Sequence, residues 1–128
     1  MARILNEGDA VEIPEPLRKT VQQWYEAYEA ADANRLASLY TEDGVIYLPT
    51  GQRLQGRDAI AKHYTAMLPQ KERDKPRVSP RKFFFFPPIA HATATAAGRH
   101  GEKHSVVDIL AQQPDGNYLF ACSSWTFK

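Results

Sequence analysis

Leu17-Arg18-Lys19-Thr20-Val21-Gln22-Gln23-Trp24-Tyr25-Glu26-Ala27-Tyr28-Glu29-Ala30-Ala31-Asp32 is the stretch on which the fold turns. Leu17, Val21, Trp24, Tyr28 and Ala31 recur at steps of four and three, which is one apolar stripe along a helix. Gln22, Gln23, Glu26 and Glu29 fall off that stripe, toward water. Pro16, just ahead, is acceptable in a first helical turn, where a missing N–H costs nothing. Asp32 is a good N-cap for a second helical pattern, because its carboxylate accepts the free N–H groups of a first turn. Leu36, Leu39 and Tyr40 lie on the inner side of that pattern. Thr41-Glu42-Asp43-Gly44 is expected to end it, with Gly44 in the left-handed position that follows a helix. Two helices with almost no linker form an angled hairpin.

Working outward, residues 1–15 lack periodicity and read as an N-terminal arm ahead of a single domain, 16–128. Residues 45–48 form a short apolar run with β-branched members, a strand. Pro49-Thr50-Gly51-Gln52 is a turn, and Arg53-Leu54-Gln55 a returning strand. Gly56-Arg57-Asp58 opens a third helix with Ile60, His63, Tyr64, Met67 and Leu68 along one side, closed by Pro69 and the charged stretch 70–75. The second half is strand material. Phe83-Phe84-Phe85-Phe86 places two rings on each sheet face, and Pro114-Asp115-Gly116-Asn117 is a strong hairpin turn. His104, Val106, Asp108 and Leu110 share one strand face. On the last strand, alternation groups Leu119, Ala121, Ser123 and Trp125 against Tyr118, Phe120, Cys122 and Ser124. Helices first and long strands after them define an α+β domain: a cone-shaped, curved, antiparallel (mixed) sheet covered by three N-terminal helices and enclosing a pocket.

Composition excludes several classes. The 128 residues carry sixteen basic and fifteen acidic side chains, a net charge of +1, without the basic excess of a phosphate-tracking nucleic-acid binder. The single cysteine, Cys122, cannot make an internal disulfide, and no Cys/His cluster has zinc spacing. No apolar run is long enough to span a membrane, and the first residues lack a signal layout. The expectation is a cytoplasmic protein with no metal, no cofactor, no nucleic-acid partner and no membrane partner. The sheet is apolar or small on both faces, so its outer face needs a cover. The simplest is a second copy of the chain; a loop or the arm is the alternative.

Trp24-Tyr25-Glu26-Ala27-Tyr28-Glu29-Ala30-Ala31-Asp32, then Leu36-Ala37-Ser38-Leu39-Tyr40-Thr41-Glu42-Asp43-Gly44-Val45, then Gly56-Arg57-Asp58-Ala59-Ile60 resemble the SnoaL-like families of the nuclear transport factor 2 superfamily, which include ketosteroid isomerase. The resemblance spans about residues 17–127 and implies a cone with a deep pocket, commonly dimeric. It also implies site positions. The oxyanion tyrosine of the isomerase falls on Trp24, its proton-shuttling aspartate on Leu48, its second oxyanion donor on Asp108, and its supporting tyrosines on Tyr40 and Tyr64. Leucine cannot accept a proton, so the isomerase route is not expected. In the isomerase, apolar surroundings keep that second donor, a carboxylic acid, neutral; here the acid position is kept and the base is lost.

The candidate chemistry centres on Asp108, within Ser105-Val106-Val107-Asp108-Ile109-Leu110. A carboxylate in an apolar strand must be paired, bonded or protonated. It is either an acid facing a ligand or an anchor between sheet and helix. His63 could shuttle a proton near neutral pH, or be a core histidine bonded to a carbonyl. Trp24, Tyr28, Tyr40, Leu48, Tyr64, Ser123 and Trp125 are the expected ligand-binding residues, and ordinary packing is the competing reading for each. Residues 71–82, basic residues interrupted by acids and prolines, read as a solvated loop. The expected function is binding of a small, largely apolar organic molecule in an internal cavity, by a cofactor-independent acid–base enzyme of isomerase, lyase or hydrolase type. The alternatives are a non-catalytic binding protein and a dimeric assembly domain.

Overall fold

The structure is a computed structural model that describes residues 3–6, 13–68, 77–98 and 101–127, with 3–6 and 127 described in backbone only. Pro69 and the stretch 70–75, which close the third helix in the sequence reading, lie outside the described residues. The elements among the described residues are β1 (Arg3–Asn6), α1 (Glu15–Glu29), α2 (Ala33–Ser38), β2 (Tyr40–Tyr47), β3 (Arg53–Gln55), α3 (Arg57–Met67), β4 (Arg77–Val78), β5 (Lys82–Phe86), β6 (Ile89–Ala97), β7 (Lys103–Gln112) and β8 (Tyr118–Phe127). They make an α+β architecture, helices packed on one open, curved sheet of order β1-β5-β6-β7-β8-β2-β3, with β4 paired to β6. The β2–β8 pairing is parallel, and the other pairings are antiparallel.

The apolar stripe of α1 is the buried one: Leu17, Val21, Trp24 and Tyr28 are almost wholly removed from water. Each such side chain contributes about 1.5–3 kcal/mol by burial. Thr20 ties the helix to the sheet, its hydroxyl donating to the carbonyl of Tyr118 at 2.6 Å. Ala31, at φ 55°, turns the chain. Asp32 then caps α2 as expected, its Oδ1 accepting from the Arg35 N–H at 3.1 Å.

Four details depart from the sequence reading. Part of the N-terminal arm is a strand: β1 pairs with β5 at the sheet edge, Ile4 opposite Phe84. The second helix stops at Ser38, and residues 40–44 belong to β2. Gly44 therefore lies in a strand, where an added Cβ would meet the Thr41 carbonyl and Tyr40 Cβ, both at 3.1 Å. The register against β8 shifts between Tyr40 and Val45. The last strand changes phase: Ile109 pairs with Cys122 but Leu110 with Phe120, a bulge at Ala121. An extra residue in a strand reverses which side chains face inward. Tyr118 and Phe120 therefore share the buried face with Ser123 and Trp125. Finally, Arg81 does not sit in a solvated loop; it is buried, with 1% of its surface exposed.

The inner face of the sheet carries Phe83, Ala90, Ala92, Ala94, Val106, Asp108 and Leu110, all buried against the helices. The outer face carries Phe84, Phe86, Ile89, His91, Val107 and Ile109, paired across strands. Phe86 is 51% exposed there. Among the described residues, no helix is long and apolar enough to cross a membrane.

Candidate functional site

Asp108 sits on the inner face of β7, opposite Ala92 on β6 and Ser123 on β8. Its side chain is engaged on both oxygens. Arg81 donates from Nε to Oδ2 at 2.7 Å, and Ser123 donates from Oγ to Oδ1 at 2.6 Å. Both members of the ion pair are almost fully buried. Such a pair holds only when its remaining groups are also well placed. The guanidinium lies 4.5 Å from the ring centroid of Trp24, 5.0 Å from that of Tyr25 and 5.6 Å from that of Phe120. Cations are attracted to such ring faces. Burial works against the charge of Arg81, but Asp108 outweighs it and holds the guanidinium protonated more firmly than usual.

The chain of polar groups continues toward α3. The Tyr40 hydroxyl lies 2.7 Å from Ser123 Oγ, and Tyr64 on α3 is close enough to Tyr40 for each phenol to influence the other. Burial pushes the Tyr40 phenol well above its ordinary value, and the negative charge of Asp108 adds to this. Tyr64 is raised too, first by burial and then by Tyr40. Both phenols are thus neutral at any physiological pH. Arg57 fixes the other side of Tyr40, donating from Nε to its backbone carbonyl at 2.8 Å.

Tyr64 also belongs to the wall of a cavity of about 270 Å³ lined by Leu48, Pro49, Thr50, His63, Tyr64, Met67, His104 and Trp125. The wall is almost entirely apolar apart from two imidazoles and two hydroxyls, the usual make-up of a small-ligand site. His63 projects from α3, half-buried, its ring 5.3 Å from that of Tyr64. Burial lowers its pKa, favouring the neutral imidazole. His104 comes from the start of β7, its ring 6.5 Å from that of Trp125. Two larger depressions, of about 430 and 470 Å³, are lined mainly by small and polar side chains. The smaller cavity is the better candidate because aromatic rings, imidazoles and the buried chain converge on it.

Of the residues expected to bind a ligand, the structure brings Leu48, Tyr64 and Trp125 to the cavity, together with His63. Trp24, Tyr28, Tyr40 and Ser123 lie in the core behind it. Trp24 stacks on Tyr28 at 4.8 Å and serves as the platform under Arg81. Asp108 is likewise a member of the buried chain rather than of the cavity wall, and its two oxygens face Arg81 and Ser123. Two residues went unmarked in the sequence. Arg81 could have been found by phase: positions 81, 83 and 85 alternate inward with the buried Phe83. His104 shares its strand face with Asp108, which was legible, but its place at the cavity mouth depends on the curl of the sheet. Among the described residues, no group of three His, Cys, Asp or Glu side chains is placed to hold a metal ion. Cys122 is half-buried, and burial raises its thiol pKa, so it is a poor nucleophile.

The described elements make an α+β fold of helices packed on one curved sheet. The SnoaL-like domain family matches residues 21–110, and the chain belongs to that family. Among solved structures, it is similar to a nuclear transport factor 2-like protein with a cystatin-like fold from Novosphingobium aromaticivorans (18% identity, 92% of this chain and 83% of that one, TM-score 0.72). It is similar as well to an uncharacterized protein with a cystatin-like fold from Caulobacter vibrioides (20% identity, 87% and 86%, TM-score 0.71). A third is a Catenulispora acidiphila protein in complex with S-DNPA (17% identity, 86% and 89%, TM-score 0.66). At these identities the likeness concerns the fold. No curated protein matches the chain.

Proposed function

We propose that the protein binds a compact, largely apolar organic molecule in the cavity between the β2–β3 turn, α3 and β7–β8, and transforms it by acid–base chemistry without a metal or organic cofactor. The observation that carries this reading is the convergence, on one small apolar cavity, of an imidazole on α3 that burial favours in its neutral form and the Tyr64 ring, with the buried Tyr40–Ser123–Asp108 chain behind them. His63 is the group that takes up and returns a proton, within the range where imidazole titrates. Tyr64 orients the ligand. Asp108 acts through Ser123 and Tyr40 as a positioning residue, because Arg81 already engages it. The reaction is of isomerase, lyase or hydrolase type, and the protein works in the cytoplasm.

Native mass spectrometry of gently purified protein tests the binding, with a retained small molecule as the expected result. Turnover of that molecule by the wild type and its loss in His63→Gln, with ligand affinity kept within about threefold, tests the chemistry. Recovery of the ligand unchanged would instead favour a non-catalytic binding protein, a second reading suggested by the saturated oxygens of Asp108. A second copy of the chain covers the outer sheet face, where Phe86, Ile89 and Tyr47 are 51%, 38% and 42% exposed.

A further inference from the structure

The surface of the 270 Å³ cavity is almost wholly carbon, although His63, Tyr64 and His104 stand in its wall. Those rings therefore present carbon to the space, not nitrogen or oxygen. A polar group of a ligand buried there would lose its water and find no hydrogen-bond partner, which is unfavourable. The carbon is also largely of one kind. From α3 come His63 and Tyr64, their rings 5.3 Å apart and crossed at 61°. From the sheet come His104 and Trp125, 6.5 Å apart and crossed at 66°. Met67 adds a thioether to the same wall. Aromatic rings favour offset or edge-on contact with one another, and a thioether favours a ring edge. A saturated ring of the same size gains neither.

We infer that the cavity takes a flat pair of fused aromatic rings and keeps any polar substituent of the ligand at its rim. This rests on the cavity being a ligand site, as in the reading above, and requires no turnover. The size agrees: an apolar cavity of about 150 Å³ holds one benzene, and this one is nearly twice as large. Thr50 is exposed and His63 half-buried, so the wall meets solvent there and a substituent can stay hydrated.

Binding of four probes to the full chain tests this. Naphthalene and decalin are measured by headspace depletion, 2-naphthol and 2,6-dihydroxynaphthalene by NMR titration. Each hydrocarbon's affinity is divided by its own water-to-hexane partition, which removes plain hydrophobicity. Naphthalene is then expected to exceed decalin by about tenfold. The diol should bind about tenfold more weakly than 2-naphthol, because one of its hydroxyls must be buried without a partner. Trp125→Leu should reduce the preference for naphthalene over decalin to about twofold. Met67→Leu, close in volume and so gentle on the fold, should cost naphthalene about threefold and leave decalin unchanged. Resonances of the Met67 methyl and the Trp125 indole should shift with 2-naphthol. Decalin equal to naphthalene after the division, or the diol equal to 2-naphthol, overturns the inference and leaves a ligand site standing. Failure of all four probes to bind, or shifts confined to residues elsewhere, overturns the ligand site itself and the inference with it.

Discussion

Arg81 and Asp108 are each costly to bury and tolerable only together. Removing Asp108 strands the guanidinium among Trp24, Tyr25 and Phe120, and removing Arg81 strands the buried carboxylate. Arg81→Met is expected to lose about 3–5 kcal/mol of stability in chemical denaturation. Adding Asp108→Asn to it should restore the larger part, because the stranded charge is gone. His63 gives a pH signature that comes from burial and not from a charged partner. Its folded pKa lies below the ordinary imidazole value of about 6.5. Just below that value the unfolded chain binds more protons than the native one, so stability falls as the pH is lowered through this window. It levels off once the pH is below the folded pKa. Unfolding midpoints of wild type and His63→Phe, followed between pH 8 and pH 5, should diverge there, with the variant showing the shallower slope.

At the scale of elements, joints decide more than propensity. The second helix and β2 meet at Leu39, with no room for the left-handed exit that Gly44 suggests; parallel pairing of Tyr40 and Val45 with β8 ties both ends of this stretch to the sheet instead. Gly56 is the joint into α3. It holds φ 91° and ψ 154°, a region nearly closed to other residues, while its N–H donates to the Gly44 carbonyl at 2.8 Å. Gly56→Ala meets no atom nearer than the Glu42 carbonyl at 3.8 Å, so its cost is backbone strain alone. That cost is about 1–3 kcal/mol, and a lower thermal midpoint without loss of native secondary structure is the expected result. Because α3 carries both His63 and Tyr64, the same variant should also loosen ligand binding.

For the molecule as a whole, the sheet divides two tasks between its faces. The inner face holds the core, the ion pair and the rear wall of the cavity. The outer face exposes Phe86 at its margin and half-buries Phe84, His91 and Ile109. If a second copy covers that face, Phe86→Asp should shift the sedimentation coefficient from dimer to monomer and leave the circular dichroism spectrum unchanged. A wild type that sediments as a monomer at micromolar concentration would refute the pairing.

Periodicity alone determined the helical hairpin, the third helix, the strand-rich second half and the division of Phe83-Phe84-Phe85-Phe86 between two faces. These depend on contacts near in sequence or on a strict repeat of two or 3.6 residues, and a chain shows both without being folded. The resemblance to SnoaL-like proteins rested on the same early segments. The site was legible only as a set of suspects. Tyr40 and Ser123 are 83 residues apart in the chain, and Arg81 and Asp108 are 27 apart. A bulge at Ala121 sets which side chains of β8 point inward. Whether Asp108 faces a ligand or a guanidinium was thus decided by where β5 and β8 lie beside β7, a matter of register and sheet curvature that no local pattern of residues encodes.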